Sequence, residues 1–225
     1  MHLPKKQSGF TLVELIAVIV LLGIIGVGVT GYITTSAEAY REVTRRDEIA
    51  QVGRFAVERI AREVKAALPG SVRRGMGIGA SSGVECLEFV PVLASSVYIN
   101  APFVSPSDTF NVVDFPQAAD MTDMRVAIYT INNTEVYTQP TGNSFVAAIS
   151  GSLSSASNGE RTITLASANR FPRESSVAQR IYFVDQPVSF CLDTNTDQLT
   201  RYEDYGYNGT PVFPPTGASA SLLAE

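Results

Sequence analysis

The chain carries Gly-Phe-Thr-Leu-Val-Glu-Leu-Ile at 9–16, and this stretch opens its longest apolar run. From 10 to 33 the run contains one charged side chain, that of Glu14. As a helix rising about 1.5 Å per residue, the segment 10–33 is about 36 Å long and exceeds a hydrocarbon core of about 30 Å. The sequence therefore predicts one membrane-spanning helix with a carboxylate near its start.

The carboxylate of Glu14 needs a partner. A charged group at the centre of a bilayer costs on the order of 3 kcal/mol, and less near the edge. No Lys, Arg or His lies between 10 and 33. A cut between Gly9 and Phe10 would create an amine about 6 Å up the helix axis from Glu14. Within one helix this amine is too far from the Glu14 carboxylate for close contact. In an adjacent helix that is shifted along the axis, the amine can lie directly beside the carboxylate. The segment is therefore predicted to pack lengthwise against copies of itself.

A family resemblance rests on 5–14, Lys-Lys-Gln-Ser-Gly-Phe-Thr-Leu-Val-Glu. This stretch resembles the class III signal of type IV pilins and type II secretion pseudopilins. The resemblance implies that a prepilin peptidase cuts after Gly9 and methylates Phe10, and that Glu14 pairs with the N-terminus of a neighbouring subunit. An ordinary signal anchor with an unrelated Glu is the alternative. A conventional secretory signal fits poorly, because its apolar region has about 7–15 residues.

The basic residues near the start predict the topology. Lys5 and Lys6 favour a cytoplasmic N-terminus, because short positive segments stay on the inner side of the membrane. The expected locations are the inner membrane, with a periplasmic head, and then a pilus or pseudopilus. The predicted organisation is a leader peptide at 1–9, a transmembrane and filament-core helix at 10–33, an amphipathic continuation at 34–70 and a β-rich head at 71–225.

The head is acidic. From 75 to the end the chain has six Arg, no Lys and fifteen Asp or Glu, within a net charge of -5 for all 225 residues. Neutralisation of phosphates by basic side chains supplies most non-specific affinity for nucleic acids. We therefore expect no nucleic-acid partner.

Helical periodicity continues beyond the apolar run. Leu-Pro-Gly at 68–70 is predicted to end the helix, because Pro disfavours helix in the preceding residue and Gly permits a turn. One helix is thus expected from 10 to 68. Apolar residues at steps of three and four predict a stripe through which its lower half packs on the head: Ile49, Val52, Ala56, Ile60, Val64 and Ala67.

Four glycines interrupt the upper part of this helix, at 23, 26, 28 and 31. Each lowers helix stability by up to about 1 kcal/mol relative to Ala. Two interpretations stay open. The glycines form a weak section in place of the Pro that many pilins have in this region, or they provide small positions for close packing between membrane helices.

The head has the pattern of a β domain, which predicts an α+β fold with an antiparallel sheet on the lower half of the helix. This is the type IV pilin-like fold that the resemblance implies. A hairpin is predicted around 193–197. The end of the chain, 220–225, shows no closing strand, and a longer natural protein is expected. Strand patterns lie at 85–92, 125–131, 135–138, 162–166, 180–190 and 198–202.

Cys86 and Cys191 are the two cysteines of the chain, and both fall in predicted strands. An even count in an exported domain favours one disulfide, with two buried free thiols as the alternative. A disulfide would close the long loop between Cys86 and Cys191, and on the loop-entropy model it would stabilise the folded head by up to about 4–5 kcal/mol. No metal site is expected from the cysteines, since the one His, His2, lies in the leader.

A weak calcium pattern is present in the predicted hairpin tip. Asp193, Asn195 and Asp197, with Asp204, match positions 1, 3, 5 and 12 of a calcium loop. Position six is Gln198, where that loop needs Gly. Asp and Asn are also ordinary turn formers. The sequence therefore predicts no metal and no cofactor.

Catalytic motifs are missing from the sequence. Removal of the leader leaves no His, so Ser-His and Cys-His chemistry lacks a base. The chain has neither a Gly-rich phosphate loop ending in Lys-Ser/Thr nor a His-Glu-x-x-His motif. We expect a protein that is not an enzyme.

A finer resemblance rests on 53–64, 67–73 and 86–91. These stretches are similar to MshO-type minor pilins of mannose-sensitive haemagglutinin pili and, less closely, to J-type minor pseudopilins of type II secretion. The resemblance implies a minor pilin that takes part in pilus assembly. Its expected partners are prepilin peptidase, other major and minor pilins or pseudopilins, and the inner-membrane assembly platform. A pilus-tip adhesin and a single-pass membrane enzyme are the alternatives from other classes.

Overall fold

The computed structural model describes residues 10–79, 82–116, 124–151, 153–174 and 178–224. The predicted leader 1–9, including Gly9, lies outside the described residues. The chain divides into two compact units, Met1–Arg54 and Phe55–Glu225. We describe each unit by itself.

The first unit is the upper part of α1, a helix that covers Leu12–Lys65. Every residue from 10 to 54 is exposed. The helix passes through all four glycines without a break, and a Cβ at any of them would meet nothing within 4 Å. Thr30 Oγ1 donates to the Gly26 carbonyl at 2.8 Å, and Thr35 Oγ1 donates to the Gly31 carbonyl at 3.0 Å. Local hydrogen bonds therefore occupy the hydroxyl groups of Thr30 and Thr35.

The second unit starts with the lower part of α1, which ends three residues earlier than predicted. Leu68 leaves the helix because its N–H donates to the Val90 carbonyl at 2.8 Å, and its side chain is buried. Gly70 then turns the chain with a φ of 81°. A Cβ at Gly70 would lie 2.8 Å from the backbone N of Asn132, so this position requires glycine.

The head contains eleven strands and one short helix in its described residues. All the strand pairings are antiparallel. The elements are β1 Arg73–Met76, β2 Val84–Phe89, β3 Val92–Val97, β4 Ser107–Val113, β5 Arg125–Ala127, α2 Asn133–Tyr137, β6 Val146–Ala148, β7 Glu160–Asn169, β8 Arg180–Val184, β9 Val188–Asp193, β10 Gln198–Glu203 and β11 Ser219–Ala224.

Three sheets result. A five-stranded sheet has the order β1-β2-β9-β10-β11, a four-stranded sheet has the order β3-β8-β5-β6, and β4 pairs with β7. The lower part of α1 packs on the five-stranded sheet, where Ile60 and Val64 contact a buried cluster of Phe89, Val188 and Phe190. The predicted α+β class, a long N-terminal helix followed by an antiparallel head, is confirmed and is consistent with the type IV pilin fold.

The lower members of the predicted apolar stripe lie in the second unit and pack there. Ala56 is buried, and Ile60, Val64 and Ala67 pack against the core. Ile49 and Val52 belong to the first unit, and both are exposed. The prediction is therefore confirmed for the members in the second unit.

Several strand predictions need correction. The segment 135–138 forms the end of α2 and its C-cap, Thr138, rather than a strand. The helix is capped because the Asn132 side chain accepts from the Glu135 N–H at 3.0 Å and the Glu135 carboxylate accepts from the Ile131 N–H at 2.9 Å. The run 180–190 splits into β8 and β9, which enter different sheets, and Pro187 lies in the break. The prediction of no closing strand was also wrong, since β11 pairs with β10. The strands β1, β3, β4 and β6 were missed as well.

Candidate functional site

The N-terminal site consists of Phe10 and Glu14 at the start of α1. Thr11 initiates the helix: its carbonyl accepts from the Glu14 N–H at 3.1 Å, and its hydroxyl lies 3.4 Å from the same N. The Phe10 side chain is 80% exposed, and Glu14 is exposed as well. Within the described residues Glu14 makes no ion pair. The carboxylate is thus presented outward among apolar side chains.

The apolar side chains around Glu14 are exposed in the described part of the first unit. Leu12, Val13, Leu15 and Ile16 are each more than half exposed. By length and composition α1 could cross a membrane, and it is the one such helix among the residues that the structure describes. A helix that is apolar on all sides is stable when lipid or other helices surround it.

A disulfide joins Cys86 and Cys191 in the five-stranded sheet. Their Cα atoms lie 4.1 Å apart, and the two residues are direct register partners in β2 and β9. Both are buried, together with Val84 and Phe213. The strand β9 lies between β2 and β10, and its pairing with β2 places Cys191 opposite Cys86.

The calcium candidates form the tip of that hairpin. The Asp193 carboxylate accepts from the Asn195 N–H at 2.9 Å, and this hydrogen bond lowers the pKa of the Asp193 carboxyl group. The Asn195 side-chain amide donates to the Ser82 carbonyl at 3.0 Å. Asp197 has a φ of 56°, which is a turn conformation. No cluster of three or more His, Cys, Asp or Glu side chains suited to a metal occurs in the described part of the chain.

Sequence reasoning missed a buried ionic cluster beside the disulfide. Arg73 and Glu88 form an ion pair between β1 and β2, and their side chains are 8% and 2% exposed. The Tyr205 hydroxyl donates to the second Glu88 oxygen at 3.0 Å and lies 2.7 Å from the Ser189 hydroxyl. The Arg73 guanidinium covers the Tyr137 ring at 3.5 Å. The cluster unites strands, α2 and the loop after β10, and isolated charged residues within a strand pattern were its one sequence signal.

A family model describes the N-terminal segment. The model of the prokaryotic N-terminal methylation motif matches residues 4–30. The match includes Gly9, Phe10 and Glu14, and it ends before 53–73, the segment on which the finer resemblance depends. No curated protein and no solved structure is significantly similar to the chain.

The motif at 4–30 and the apolar helix together indicate the kind of N-terminal segment that this chain has. The N-terminal segment 4–30 carries the methylation motif of the type IV pilin and prepilin class, which indicates a type IV pilin-like or pseudopilin-like protein. Such a motif implies processing by prepilin peptidase and assembly with pilins, and it indicates a structural rather than an enzymatic protein. With the apolar helix it also indicates membrane anchoring.

Proposed function

We propose that this chain is a minor subunit of a type IV pilus, in which α1 packs in the filament and the β-rich head lies outside the membrane. One observation carries the proposal: the methylation motif at 4–30 overlaps the start of α1, where every residue from 10 to 54 is exposed although 10–33 is almost wholly apolar. Membrane lipid covers that surface before assembly, and the helices of neighbouring subunits cover it afterwards.

The assembly contact is the ion pair between Glu14 and the amine of Phe10 in the next subunit. A cut after Gly9 creates this amine, and methylation leaves it positively charged. In a filament core that excludes water, Glu14 stays ionised opposite such a charge. A buried pair adds little net stability, because desolvation opposes the Coulomb attraction, but it penalises every register that leaves one charge unpaired. The pair therefore fixes the axial offset between subunits.

The proposal of a minor pilin, rather than a major one, depends on the stretches 53–64, 67–73 and 86–91. Their similarity to MshO-type minor pilins favours a pilus, and their weaker similarity to J-type pseudopilins makes a secretion pseudopilus the second candidate. A deletion strain separates the two. Loss of surface pili with normal protein secretion supports the pilus, whereas loss of secretion with normal pili supports the pseudopilus.

The first test is N-terminal mass spectrometry of the full chain produced with and without prepilin peptidase. With the peptidase, the mature protein is expected to begin at Phe10 and to carry one added methyl group. Gly9→Leu is expected to block the cut, because a large side chain hinders the approach of the peptidase to the backbone. Gly23→Leu, inside the helix, is the matched control and is cut normally. An intact leader in the presence of the peptidase would refute the proposal.

A further inference from the structure

The loop between β10 and β11 is long for a connection between neighbouring antiparallel strands. It covers 204–218, whereas hairpin loops commonly have about 2–5 residues. It crosses the face of the five-stranded sheet that carries the disulfide, where its Phe213 is packed with Cys86 and Cys191. We divide the loop into an anchor, 204–209, and a flap, 210–218.

Hydrogen bonds to several elements hold the anchor. Tyr205 is bound to Glu88 and Ser189. The Tyr207 hydroxyl donates to the Asp185 carbonyl at 2.6 Å, and the Arg125 guanidinium lies 3.7 Å from the centre of the Tyr207 ring. Arg73 donates to the carbonyl groups of Asn208 and Gly209 at 2.7 and 3.4 Å. The anchor is therefore fixed to the sheets and to the buried ionic cluster.

The flap is held differently. In the part of the chain that the structure describes, 210–218 makes one hydrogen bond, from the Thr210 N–H to the Asn208 side chain at 3.1 Å, and this bond stays within the loop. Phe213 is 7% exposed, whereas its neighbour Val212 is 52% exposed. Phe213 is thus the one residue of the flap that is buried, and Pro214 and Pro215 beside it are half-buried.

Phe213 covers the disulfide. Its ring lies directly against Gly75, where a Cβ would clash with it. Gly75 is the register partner of Cys86, and Cys86 is the partner of Cys191. The aromatic ring therefore lies beside the row of three residues that contains the disulfide, and Cys86 and Cys191 are 3% and 2% exposed.

We propose that the flap 210–218 is a lid over the Cys86–Cys191 disulfide, and that the docking of Phe213 controls the rate at which a dithiol reaches it. Local opening of weakly bonded segments is a general property of folded proteins and needs less free energy than global unfolding. The anchor keeps the opening local. Reduction or isomerisation of the crosslink then proceeds while the sheets remain folded.

The reaction behind this lid is thiol–disulfide exchange with an external dithiol. One thiolate of the dithiol attacks a sulfur of the pair, the Cys86–Cys191 bond breaks, and the other cysteine leaves as a thiolate. The second thiolate of the dithiol then displaces the first protein cysteine. Two electrons and two protons pass from the dithiol to the cysteines, so the dithiol becomes a cyclic disulfide.

The test measures exchange in the full chain, solubilised in detergent, with dithiothreitol as the dithiol. Acid quenching, alkylation and mass spectrometry give the rate of reduction. Phe213→Ala is expected to raise this rate at least about tenfold, because it removes a buried aromatic side chain from the closed flap. Val212→Ala, in the same flap, is the control and changes the rate by no more than about twofold.

Two further measurements separate a lid from a loss of overall stability. Oxidised dithiothreitol gives the rate of re-formation of the disulfide, which Phe213→Ala is expected to raise by the same factor, because an open lid admits reagent in both directions. Reduction is also expected to depend weakly on urea, since local opening exposes little surface. If Phe213→Ala does not fold, Phe213→Leu replaces it, and we expect a smaller increase in the rates of reduction and re-formation of the disulfide. Equal rates for the Phe213 and Val212 variants, or a urea dependence equal to that of global unfolding, would overturn the proposal.

Discussion

At the scale of single residues, the decisive group is the carboxylate of Glu14. We expect Glu14→Ala to leave cutting and head folding intact and to reduce incorporation into filaments strongly, because the Phe10 amine of the neighbour then has no partner. An uncompensated buried charge costs about 3–5 kcal/mol. Glu14→Gln keeps the shape without the charge and is expected to fail similarly. Immunoblots of sheared filaments against whole cells measure the incorporated fraction.

The control for this prediction is an acid on the same helix outside the apolar run. Glu38→Gln removes a charge from an exposed position of α1 and is expected to assemble like the wild type. The role of Glu14 in fixing the register would be wrong if Glu14→Gln and Glu14→Ala were both found in filaments at wild-type levels.

Glu88 tests the buried ionic cluster. Glu88→Gln leaves the Arg73 guanidinium without its carboxylate in a site that excludes water. Breaking a buried ion pair costs about 3–5 kcal/mol. We expect the free energy of unfolding to fall by about 3 kcal/mol, because the amide of Gln still accepts one hydrogen bond. Urea titration followed by circular dichroism measures it. Glu85→Gln, at an exposed position of the same strand, is the control and should leave the midpoint unchanged.

Two tyrosines in the loop between β10 and β11 predict that the head is less stable at alkaline pH. Burial raises the pKa of Tyr205 and of Tyr207 above the usual value of about 10. Because the folded state disfavours the phenolate, this contribution to stability is complete below pH about 10 and is lost as the pH rises toward the folded pKa. We expect a lower urea midpoint at pH about 11 than at pH about 8, and a smaller fall in Tyr207→Phe. An equal fall in Tyr207→Phe and in the exposed control Tyr40→Phe would contradict this.

At the scale of elements, the lower part of α1 connects the helix to the head. Ile60 packs against the cluster of Phe89, Val188 and Phe190, and Glu63 binds Arg201 of β10 at 3.2 Å. We expect Ile60→Ala to destabilise the head by about 1–3 kcal/mol, since the side chain is half-buried. Val57→Ala, one turn earlier on an exposed position, should cost less than about 0.5 kcal/mol. Equal urea midpoints for the two variants would show that α1 does not stabilise the head through this stripe.

Some helices and strands could be predicted from the sequence, and others could not. The span and the β9–β10 hairpin were found because apolar periodicity and turn residues are local signals. The strands β1 and β6 were not predicted, because Arg73–Met76 and Val146–Ala148 are too short to show an alternating pattern. The helix α2 was mistaken for a strand because its Val-Tyr pair suits strands, while the cap at Asn132 and Glu135 decides the structure.

At the scale of the whole molecule, the sites differ in whether their residues are close together in the sequence or are brought together only by the fold. The motif residues Gly9, Phe10 and Glu14 are close in sequence, so a short pattern identifies them. The Arg73–Glu88 pair and the position of Phe213 over Cys86 depend on strand register and on a loop with many tertiary partners. No periodicity encodes those contacts. The sequence therefore predicts a site at the N-terminal end, which stays a prediction, and gives no sign of the contacts that Phe213 makes in the head.

The disulfide provides the last prediction, because it connects distant parts of the head. Cys86 and Cys191 are separated by 105 residues, and their crosslink limits the freedom of the unfolded chain between β2 and β9. We expect the double variant Cys86→Ser, Cys191→Ser to fold with the same sheets, since six register pairs already join the two strands. Its free energy of unfolding should fall by up to about 4–5 kcal/mol, the loop-entropy estimate, with a further loss from burying two hydroxyl groups.

Cys86→Ala, Cys191→Ala is the matched variant that separates these two causes, because it removes the crosslink without adding polar groups. Urea titrations of both variants and of oxidised wild type give the differences. The alanine variant should lie between the serine variant and the wild type. Wild-type protein alkylated by thiol reagents after denaturation without reductant, or an alanine variant as stable as the oxidised wild type, would show that the crosslink does not stabilise the head. Because the estimate depends on the unfolded chain and not on contacts of the folded one, an intact native circular dichroism spectrum together with a lowered midpoint is the expected combination.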